Sequence, residues 1–290
     1  MTYRIVHRTT YRYSQPVTVS QHAARMEPRS TAHQQSRDFK LSIKPAPALQ
    51  SERTDYFGNK VCMFSVQGLH KELQVVASST VTIRRPDELL FAASPTFANV
   101  RKLYLDPVSP ALCDPYQFVF NSPHVQVRLE YADYAMASFT PDTPVLAGVR
   151  DLTHRINKDF KFDPTATTVA TPLEEVWTKR RGVCQDFAHL GIACLRSIGL
   201  PARYVSGYLR TKPPAGQPRL VGADQSHAWF SLHCPEVGWV DFDPTNDTVP
   251  GEEHPVVAFG RDFSDVSPLV GLLTGGGKHA VIVGVDVEEV

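Results

Sequence analysis

Residues 177–190 read Trp-Thr-Lys-Arg-Arg-Gly-Val-Cys-Gln-Asp-Phe-Ala-His-Leu and lead from a basic turn into a helix. Apolar side chains then recur every three or four residues and form a stripe on one helix face: Phe187, Leu190, Gly191, Cys194, Leu195 and Ile198. Gly199 follows where a left-handed residue ends a helix, and Pro201 prevents its continuation. The pattern predicts a helix whose first turn contains Cys184, entered tightly through Gly182.

Cys184 has a chemical environment that follows from this placement. Unpaired backbone N–H groups and the positive end of the helix dipole favour a thiolate in the first turn. The backbone N–H of Cys184 is also available to stabilise an oxyanion on an attacked carbonyl. From this segment alone, a nucleophile and a buried, inert cysteine are equally good interpretations. Cys194 lies on the apolar stripe, so we expect it to be a core residue.

Two later segments predict an antiparallel hairpin. Residues 226–233 and 239–243 both place apolar side chains at even-numbered positions, so the odd-numbered positions share the other face. A register in which paired residue numbers add up to about 472 puts His227 diagonal to Asp243. The pattern therefore predicts a histidine–carboxylate pair. The carboxylate would orient the imidazole, and the free ring nitrogen would take the thiol proton.

Both members of this pair also have a simpler interpretation. His227 can be a hydrogen-bonded structural histidine, and Asp243 can be a turn residue ahead of Pro244. Asp241 lies on the same face and is a second candidate for orienting the imidazole. We prefer Asp243, partly because of the hairpin geometry and mainly because of a resemblance to a known family.

Four blocks of sequence resemble the bacterial transglutaminase-like proteins, and they occur in the order found there: residues 181–190, 199–208, 226–229 and 238–245. The resemblance covers roughly residues 150–247. The opening region, with Tyr11-Arg12-Tyr13 and residues 55–59, is similar to the N-terminal domain that accompanies this core in bacteria.

The resemblance implies an α+β fold with a papain-like core, in which a helix bearing the nucleophile packs against an antiparallel sheet. It implies that Cys184 is the nucleophile, His227 the base and then the acid, and Asp243 the orienting residue. Some relatives use an upstream Trp in the oxyanion hole, but at a different spacing. We therefore expect Trp177 to pack and leave it, with Gln185, outside the catalytic set.

The first part of the chain has the pattern of strands. Alternating apolar side chains predict strands at residues 2–13, 39–43, 61–66 and 73–83, with a hairpin tip at 55–60. One face of the last of these strands is formed by Val75, Ala77, Ser79, Val81 and Ile83. We predict an N-terminal β domain at residues 1–85, closed by Arg84-Arg85-Pro86.

Residues 86–290 are predicted to hold a helical segment, the core and a C-terminal strand. Thr143 and Pro144 begin a helix whose apolar side chains are Val145, Leu146, Val149, Leu152 and Ile156. Residues 271–277 read as a glycine-rich connection, and residues 280–287 alternate like a strand.

Composition excludes several classes of protein. Thirty basic residues balance thirty acidic ones, so no net field attracts nucleic acid or an anionic membrane. Residues 1–6 lack the apolar region of a secretory signal, and no apolar run approaches the ~18 residues of a membrane span. Five cysteines without a CxxC pair argue against a disulfide framework. We expect a cytoplasmic protein that contacts neither nucleic acid nor membrane.

We expect neither a metal nor a cofactor. Cys184, Asp186, His189 and His227 have the residue types of a metal site, but Cys184 and His189 lie about 140° apart around a helix. His189 is expected to pack or to hydrogen-bond within the structure. The basic run at residues 179–181 either favours the thiolate or forms a solvated turn.

The residues and the resemblance together predict acyl transfer through a thioester, with a peptide or protein as substrate. Hydrolysis is preferred over transamidation because water is abundant and no amine-binding feature is visible. The alternative is a non-catalytic protein-binding module on the same fold. Residues 210–219, rich in proline, either border the cleft or are only a connection.

Overall fold

The computed structural model describes residues 1–84, 91–105, 109–211 and 224–290. Its strands are β1 Thr2–Ala24, β2 Gln34–Lys44, β3 Leu49–Thr54, β4 Lys60–Ile83, β5 Lys161–Phe162, β6 Arg181–Gly182, β7 Ala202–Leu209, β8 Gln225–Cys234, β9 Gly238–Phe242, β10 Val256–Gly260, β11 Leu269–Gly275 and β12 His279–Glu289. Its helices are α1 Phe97–Leu105, α2 Pro110–Tyr116, α3 Leu129–Met136, α4 Val145–Asp159, α5 Leu173–Lys179, α6 Cys184–Ser197 and α7 Phe263–Val266. Single 3₁₀ turns lie at Phe91–Ala93 and Gln117–Val119. The predicted α+β class is confirmed.

The first sheet is built on its two longest strands, β1 and β4. They pair antiparallel from Thr2 opposite Thr82 to Ala24 opposite Cys62. β2 and β3 pair with the other edge of β4. β11 and β12 follow one another along the other edge of β1. This sheet therefore combines the first strands of the chain with residues 269–289.

Strands are present at each predicted place in the first part of the chain, and β1 and β2 are longer than predicted. The segments predicted as separate strands at 61–66 and 73–83 belong to one continuous strand, β4. The predicted face of β4 is buried at Val75, Ala77, Ser79, Val81 and Ile83. The predicted hairpin tip is present as well, because the Asp55 carboxylate accepts hydrogen bonds from the backbone N–H groups of Phe57 and Asn59. The predicted C-terminal strand corresponds to β12.

The prediction of a glycine-rich connection at residues 271–277 is wrong over most of its length. Leu269–Gly275 is strand β11, and only the turn around Gly276 and Gly277, both with positive φ, connects it to β12. Gly271 fits within a strand because the His22 imidazole lies 2.2 Å from the place of a β-carbon at Gly271. A glycine inside a strand here allows a neighbouring side chain to approach closely.

The second sheet has the order β10-β7-β8-β9 and is antiparallel throughout. Helix α6 packs against its centre. A β-carbon at Gly191 would stand 2.4 Å from the ring of Phe230 on β8, so helix and strand lie closer there than a larger residue would allow. A helix packed on an antiparallel sheet agrees with the core predicted from the resemblance.

The helices before this core cover it with apolar side chains. On α4 the predicted residues are buried: Val145, Leu146, Val149, Leu152 and Ile156. The helix begins one residue later than predicted, because Pro144 rather than Thr143 is its N-cap. The Thr143 hydroxyl instead accepts a hydrogen bond from the Thr140 backbone N–H, which closes the preceding turn.

The two sheets contact each other through β10. Gln34 on β2 hydrogen-bonds both the backbone N–H and the carbonyl of Val256, and Asn59 does the same for Phe259. One hydrophobic core includes Tyr3 and Ile5 of the first sheet together with the buried face of α6. The predicted boundary lies partly outside the described residues, and the division into 1–85 and 86–290 stays a prediction.

Candidate active site

Cys184 is the first residue of α6 and is half-buried. The entry into the helix is fixed by Asp186, whose carboxylate accepts hydrogen bonds from the Val183 backbone N–H at 2.8 Å and the Thr167 hydroxyl at 2.6 Å. A β-carbon at Gly182 would lie 2.7 Å from this carboxylate. Gly182 is therefore needed for space. Cys184 therefore stands at the helix end where backbone N–H groups have no partner within the helix.

The hairpin of β8 and β9 has the predicted register. Phe230 pairs with Phe242 and Leu232 with Val240, so paired residue numbers add up to 472. The even-numbered side chains are buried, as predicted, and face α6. The odd-numbered face of β8 is buried too, since His227 is 5% and Trp229 0% exposed.

The structure brings the three predicted site residues together. The Nε2 atom of His227 lies 2.7 Å from the Oδ2 atom of Asp243. The Cys184 side chain lies close enough to the His227 ring to raise its pKa, and because Nε2 faces Asp243, Nδ1 is the ring nitrogen available to the sulfur. Asp243 follows the last residue of β9, which places its side chain diagonally across from His227. The catalytic roles of the three residues stay a prediction.

The charges at this site reinforce one another. Burial alone would lower the pKa of His227, but its hydrogen bonds to Asp243 and Cys184 raise this pKa to about 10. Burial would raise the pKa of Asp243, yet hydrogen bonds from His227, His254 and Asn246 hold it well below its usual range. The geometry thus favours an imidazolium beside a carboxylate at neutral pH.

Sequence reasoning missed two residues that contact Asp243. The Nδ2 atom of Asn246 donates to Oδ2 of Asp243 at 2.7 Å, and the Nε2 atom of His254 lies 3.3 Å from the same oxygen. The other oxygen, Oδ1, accepts from the backbone N–H groups of Thr245 and Asn246. The Asp-Pro-Thr-Asn sequence was a signal for the turn, but nothing in the sequence relates His254 to it.

Asp241, the second candidate for orienting His227, has other partners. Its carboxylate accepts hydrogen bonds from the indole N–H of Trp229 at 3.0 Å and from the Ser231 hydroxyl. The nearby Arg203 is half-buried, and its guanidinium lies 3.5 Å from the ring centre of Phe259. Burial lowers the pKa of Arg203 to about 9, against the opposing effect of Asp241. Asp241 thus serves a buried structural network.

Trp177, which was left outside the catalytic set, and two residues of the basic run have structural partners. Trp177 lies in an aromatic cluster and carries the Arg180 guanidinium 4.0 Å from its ring centre. Lys179 and Arg181 form ion pairs with Glu175 and Asp163, which agrees with a structural turn.

His189 and Cys194 are buried as expected. The Nε2 atom of His189 accepts a hydrogen bond from the Phe263 backbone N–H, and its ring stacks on His124. Burial lowers the pKa of His189 to about 3. Burial also raises the pKa of the Cys194 thiol. Both residues belong to the core.

Within the described ranges, the side chains close enough to share a metal ion are His227, Asp243 and His254. The 2.7 Å between the His227 nitrogen and the Asp243 oxygen is a hydrogen-bond distance. Two ligands of one zinc ion, each about 2.0–2.1 Å from it, lie farther apart than that in tetrahedral geometry. These residues form a hydrogen-bonded network, and we assign no metal to them.

Two cavities lie elsewhere in the described structure. One, of about 190 Å³, is in the first sheet between Met26 and Lys60. The other, of about 610 Å³, lies between Tyr56 and Phe120. Neither is lined by the three site residues. Of the predicted cleft rim at 210–219, residues 212–219 lie outside the described residues.

Comparison with known proteins identifies the family. Residues 3–82 match the bacterial transglutaminase-like N-terminal region, and residues 132–244 match the transglutaminase-like superfamily. A protein of Mycobacterium tuberculosis, described as uncharacterized, is 39% identical over 290 residues, covering 98% of this chain and 92% of that protein. The chain belongs to the bacterial transglutaminase-like proteins.

Other members of this transglutaminase-like family extend the comparison. An uncharacterized protein of Mycobacterium leprae is 34% identical, covering 98% of this chain and 97% of its own. A "Protein-glutamine gamma-glutamyltransferase" of Pseudomonas aeruginosa is 34% identical over 99 residues, which are 31% of this chain and 15% of that enzyme.

The fold of this transglutaminase-like protein also matches a solved structure. The structure of "a Putative Cysteine Protease from Cytophaga hutchinsonii" superimposes with a TM-score of 0.76 at 22% identity, covering 99% of this chain and 90% of that one. This likeness shows the shared fold. No helix in the described ranges is long and apolar enough to cross a membrane.

Proposed function

We propose that this transglutaminase-like protein transfers the acyl group of a peptide or carboxamide to water, through a thioester on Cys184. The observation that supports the proposal is the position of His227, which hydrogen-bonds the Asp243 carboxylate and lies near enough to Cys184 for that residue to raise its pKa. This sequence of contacts is what a thiol nucleophile, a base and an orienting residue require.

In the proposed reaction His227 already holds the proton that comes from the Cys184 thiol when the sulfur attacks the carbonyl carbon. A sulfur–carbon bond forms, and the carbonyl oxygen takes up the displaced electron pair. Backbone N–H groups at the start of α6, including that of Cys184, stabilise this oxyanion. The carbon–nitrogen bond then breaks, and the leaving amine takes the proton from His227.

The thioester is resolved by water. His227 removes a proton from the water, whose oxygen bonds to the carbonyl carbon while the carbon–sulfur bond breaks. The products are a carboxylic acid and the Cys184 thiol. An amine that replaces water at this step would give transamidation, the reaction named for the Pseudomonas relative. We propose hydrolysis as the main outcome, because water reaches a half-buried sulfur without a dedicated amine site.

The alternative, a protein-binding module, is favoured by one observation. The edge formed by β11 and β12 exposes apolar side chains at Val270, Leu272, Leu273, Val281, Ile282 and Val283. Such a row of exposed apolar groups on a sheet edge is typical of surfaces that take a partner strand. Cys184, however, is half-buried rather than covered, which favours the enzyme.

Trapping of the thioester tests the proposal directly. The protein is incubated with a library of peptides and glutamine-containing carboxamides, quenched in acid and searched by mass spectrometry for an acyl adduct on Cys184. Added hydroxylamine would then convert any thioester into a hydroxamate. We expect adducts in the wild-type protein and none in Cys184→Ala. A wild-type protein that forms no adduct and a Cys184→Ala variant with undiminished turnover would each contradict the mechanism.

A peptide or protein substrate, the absence of nucleic-acid and membrane partners, and a cytoplasmic location are part of the same proposal. The balanced charge of the chain supports the absence of nucleic-acid and membrane partners. Fractionation of cells that express the tagged protein tests the location.

A further inference from the structure

His254 approaches the site from outside the hairpin that carries His227 and Asp243. Its Nε2 atom lies 3.3 Å from the Asp243 Oδ2 atom, which also accepts hydrogen bonds from His227 and Asn246. A carboxylate only accepts, so the Nε2 atom of His254 carries the hydrogen. Two imidazoles therefore share one oxygen of the carboxylate.

The other ring nitrogen of His254, Nδ1, indicates which tautomer the ring adopts. Its Nδ1 atom is buried and has no hydrogen-bond partner within the described structure. A buried N–H without an acceptor is costly, whereas a bare ring nitrogen costs less. The ring is thus held in the tautomer that points its N–H at Asp243.

The His254 ring also covers the carboxylate. Its side chain is 9% exposed, and Asp243 beneath it is 0% exposed. The ring packs edge-on against Trp229, with ring centres 5.4 Å apart, and lies 6.1 Å from the ring of His227. Water is kept away from Asp243, and in a dry environment the attraction between the carboxylate and the imidazolium of His227 is strengthened.

The two residues that follow His254 are held by hydrogen bonds from two different strands. The carbonyl of Pro255 accepts a hydrogen bond from the Tyr208 backbone N–H. The next residue, Val256, is held through both of its backbone groups by the Gln34 carboxamide, at 2.7 and 2.8 Å. Gln34 is 5% exposed and belongs to the first sheet. The first sheet thus binds the backbone two residues after His254, at Val256.

We infer that His254 is a positioning residue that orients and covers the Asp243 carboxylate, and that Gln34 of the first sheet holds His254 in place. The inference rests on the proposed function for its chemical meaning. It gives the N-terminal sheet a role in the active site, because its β2 strand sets the position of the fourth side chain around Asp243. The charged and titratable groups that face His227 in this arrangement are Asp243, Cys184 and His254.

A titration of the His227 ring tests the inference without any substrate. The protein is labelled with ¹⁵N-histidine, and the His227 signals are assigned by their loss in His227→Gln. In His254→Ala, water reaches Asp243, and we expect the pKa of His227 to fall by about one unit, a tenfold loss of proton affinity. His254→Gln keeps a donor and most of the volume, so we expect at least half of the shift to be restored.

Gln34→Ala is expected to lower the pKa of His227 in the same direction by about half a unit, because the His254 segment loses its support. Gln35→Ala, on the exposed neighbour in β2, is the matched control. His154→Gln is a second control, since His154 binds Asp247 rather than Asp243. Both controls should leave the titration of His227 unchanged.

The outcomes separate this inference from the proposed function. A folded His254→Ala protein in which the titration of His227 matches the wild type would overturn the inference, whether or not a thioester is found. The titration shift without any thioester would support the positioning role and contradict the proposed function. Thermal unfolding of each variant identifies proteins that have lost their fold, and in that case His254→Gln and Gln34→Ala decide.

Discussion

Asp241 and Asp243 lie two residues apart on one face of the same hairpin, but their carboxylates meet different donors. Asp241 is bound by the indole of Trp229 and the hydroxyl of Ser231, which do not titrate near neutral pH. Asp243 is bound by two imidazoles and an amide, and one of those imidazoles contacts a thiol. The nature of the donors, more than position or burial, distinguishes a structural carboxylate from one suited to acid–base chemistry.

The two ends of this face are also held differently. The Asp241 end lies near Arg203, whose guanidinium stands over the ring of Phe259 on β10. The Asp243 end closes on its own turn, through backbone N–H groups of residues 245 and 246. We therefore expect that removing a hydrogen-bond partner of Asp241 lowers the stability of the protein, whereas removing a partner of Asp243 lowers its activity.

The largest expected effect comes from removing the base at the Asp243 end. His227→Ala should lower kcat/KM by about a thousandfold, because the thiol loses its proton acceptor. His233→Gln is the control on the same strand, since His233 bonds Tyr104 and not the site. It should keep kcat/KM within about threefold of the wild type. Steady-state kinetics on a substrate found by thioester trapping measure both, and similar losses in the two variants would argue against a special role for His227.

The next effect compares the two carboxylates directly. Asp243→Asn should lower kcat by about a hundredfold, because the imidazole loses its negatively charged partner. Asp241→Asn should leave kcat within about threefold but lower the free energy of unfolding by about 2 kcal/mol, because the buried Trp229 and Ser231 lose a charged acceptor and Arg203 loses a nearby negative charge.

Kinetics and urea unfolding of the two Asn variants give the comparison. The contrast between the two ends fails if Asp241→Asn loses as much activity as Asp243→Asn while remaining folded.

A smaller effect concerns the pH dependence of stability. The pKa of His227 in the folded protein is about 10, above its ordinary 6.5, and the pKa of Asp243 lies below its ordinary 3.8. Their pairing is therefore fully stabilising between about pH 4 and pH 6.5, and the stabilisation declines as the pH rises toward 10 or falls below about 4. The gap in unfolding free energy between the wild type and His227→Gln should narrow from pH 5 to pH 8.

Asp241→Asn is the control for this experiment. The hydrogen-bond partners of Asp241, Trp229 and Ser231, do not titrate between pH 5 and pH 8. The difference in unfolding free energy between the wild type and Asp241→Asn should therefore stay constant over this range. Urea unfolding at pH 5, 6.5 and 8 measures both gaps. A His227→Gln gap that widens with pH would contradict the assigned direction of the His227 pKa.

The smallest effect is expected at the Asp241 end. Ser231→Ala removes one of the hydrogen bonds to Asp241 and should lower the free energy of unfolding by about 1 kcal/mol, with kcat/KM within about twofold. The same measurements used for the Asn variants apply. A loss of activity larger than the loss of stability explains would mean that the two ends of the face are coupled.

The local parts of the site could be predicted from sequence because they depend on periodicity. The stripe from Phe187 to Ile198 defines α6, and the alternation around Phe230 and Phe242 determines which side chains of the hairpin share a face, which limits its register. Both signals arise when one face of an element is buried. The resemblance then selected Asp243 over Asp241, which the periodicity could not do.

The parts that were missed depend on contacts between distant segments. His254 reaches Asp243 from a loop, and Gln34 reaches Val256 across 222 residues. The strand at Leu269–Gly275 was missed because its glycines resemble a connection, while its pairing with β1 decides its conformation. No local pattern encodes such pairings, since they depend on which surfaces meet after the chain has folded.

The position of β11 and β12 beside β1 has a consequence for how this protein is made. Tyr3 on β1 pairs with Glu289 on β12, so β1 leaves the ribosome long before the strand that covers this part of its edge is synthesised. Until then β1 exposes an edge along its whole length, a state that favours unwanted strand pairing. At a synthesis rate of about 5–20 residues per second, that exposure lasts on the order of ten seconds or more. During this period the unpaired edge of β1 is the part of the first sheet most open to wrong strand pairing.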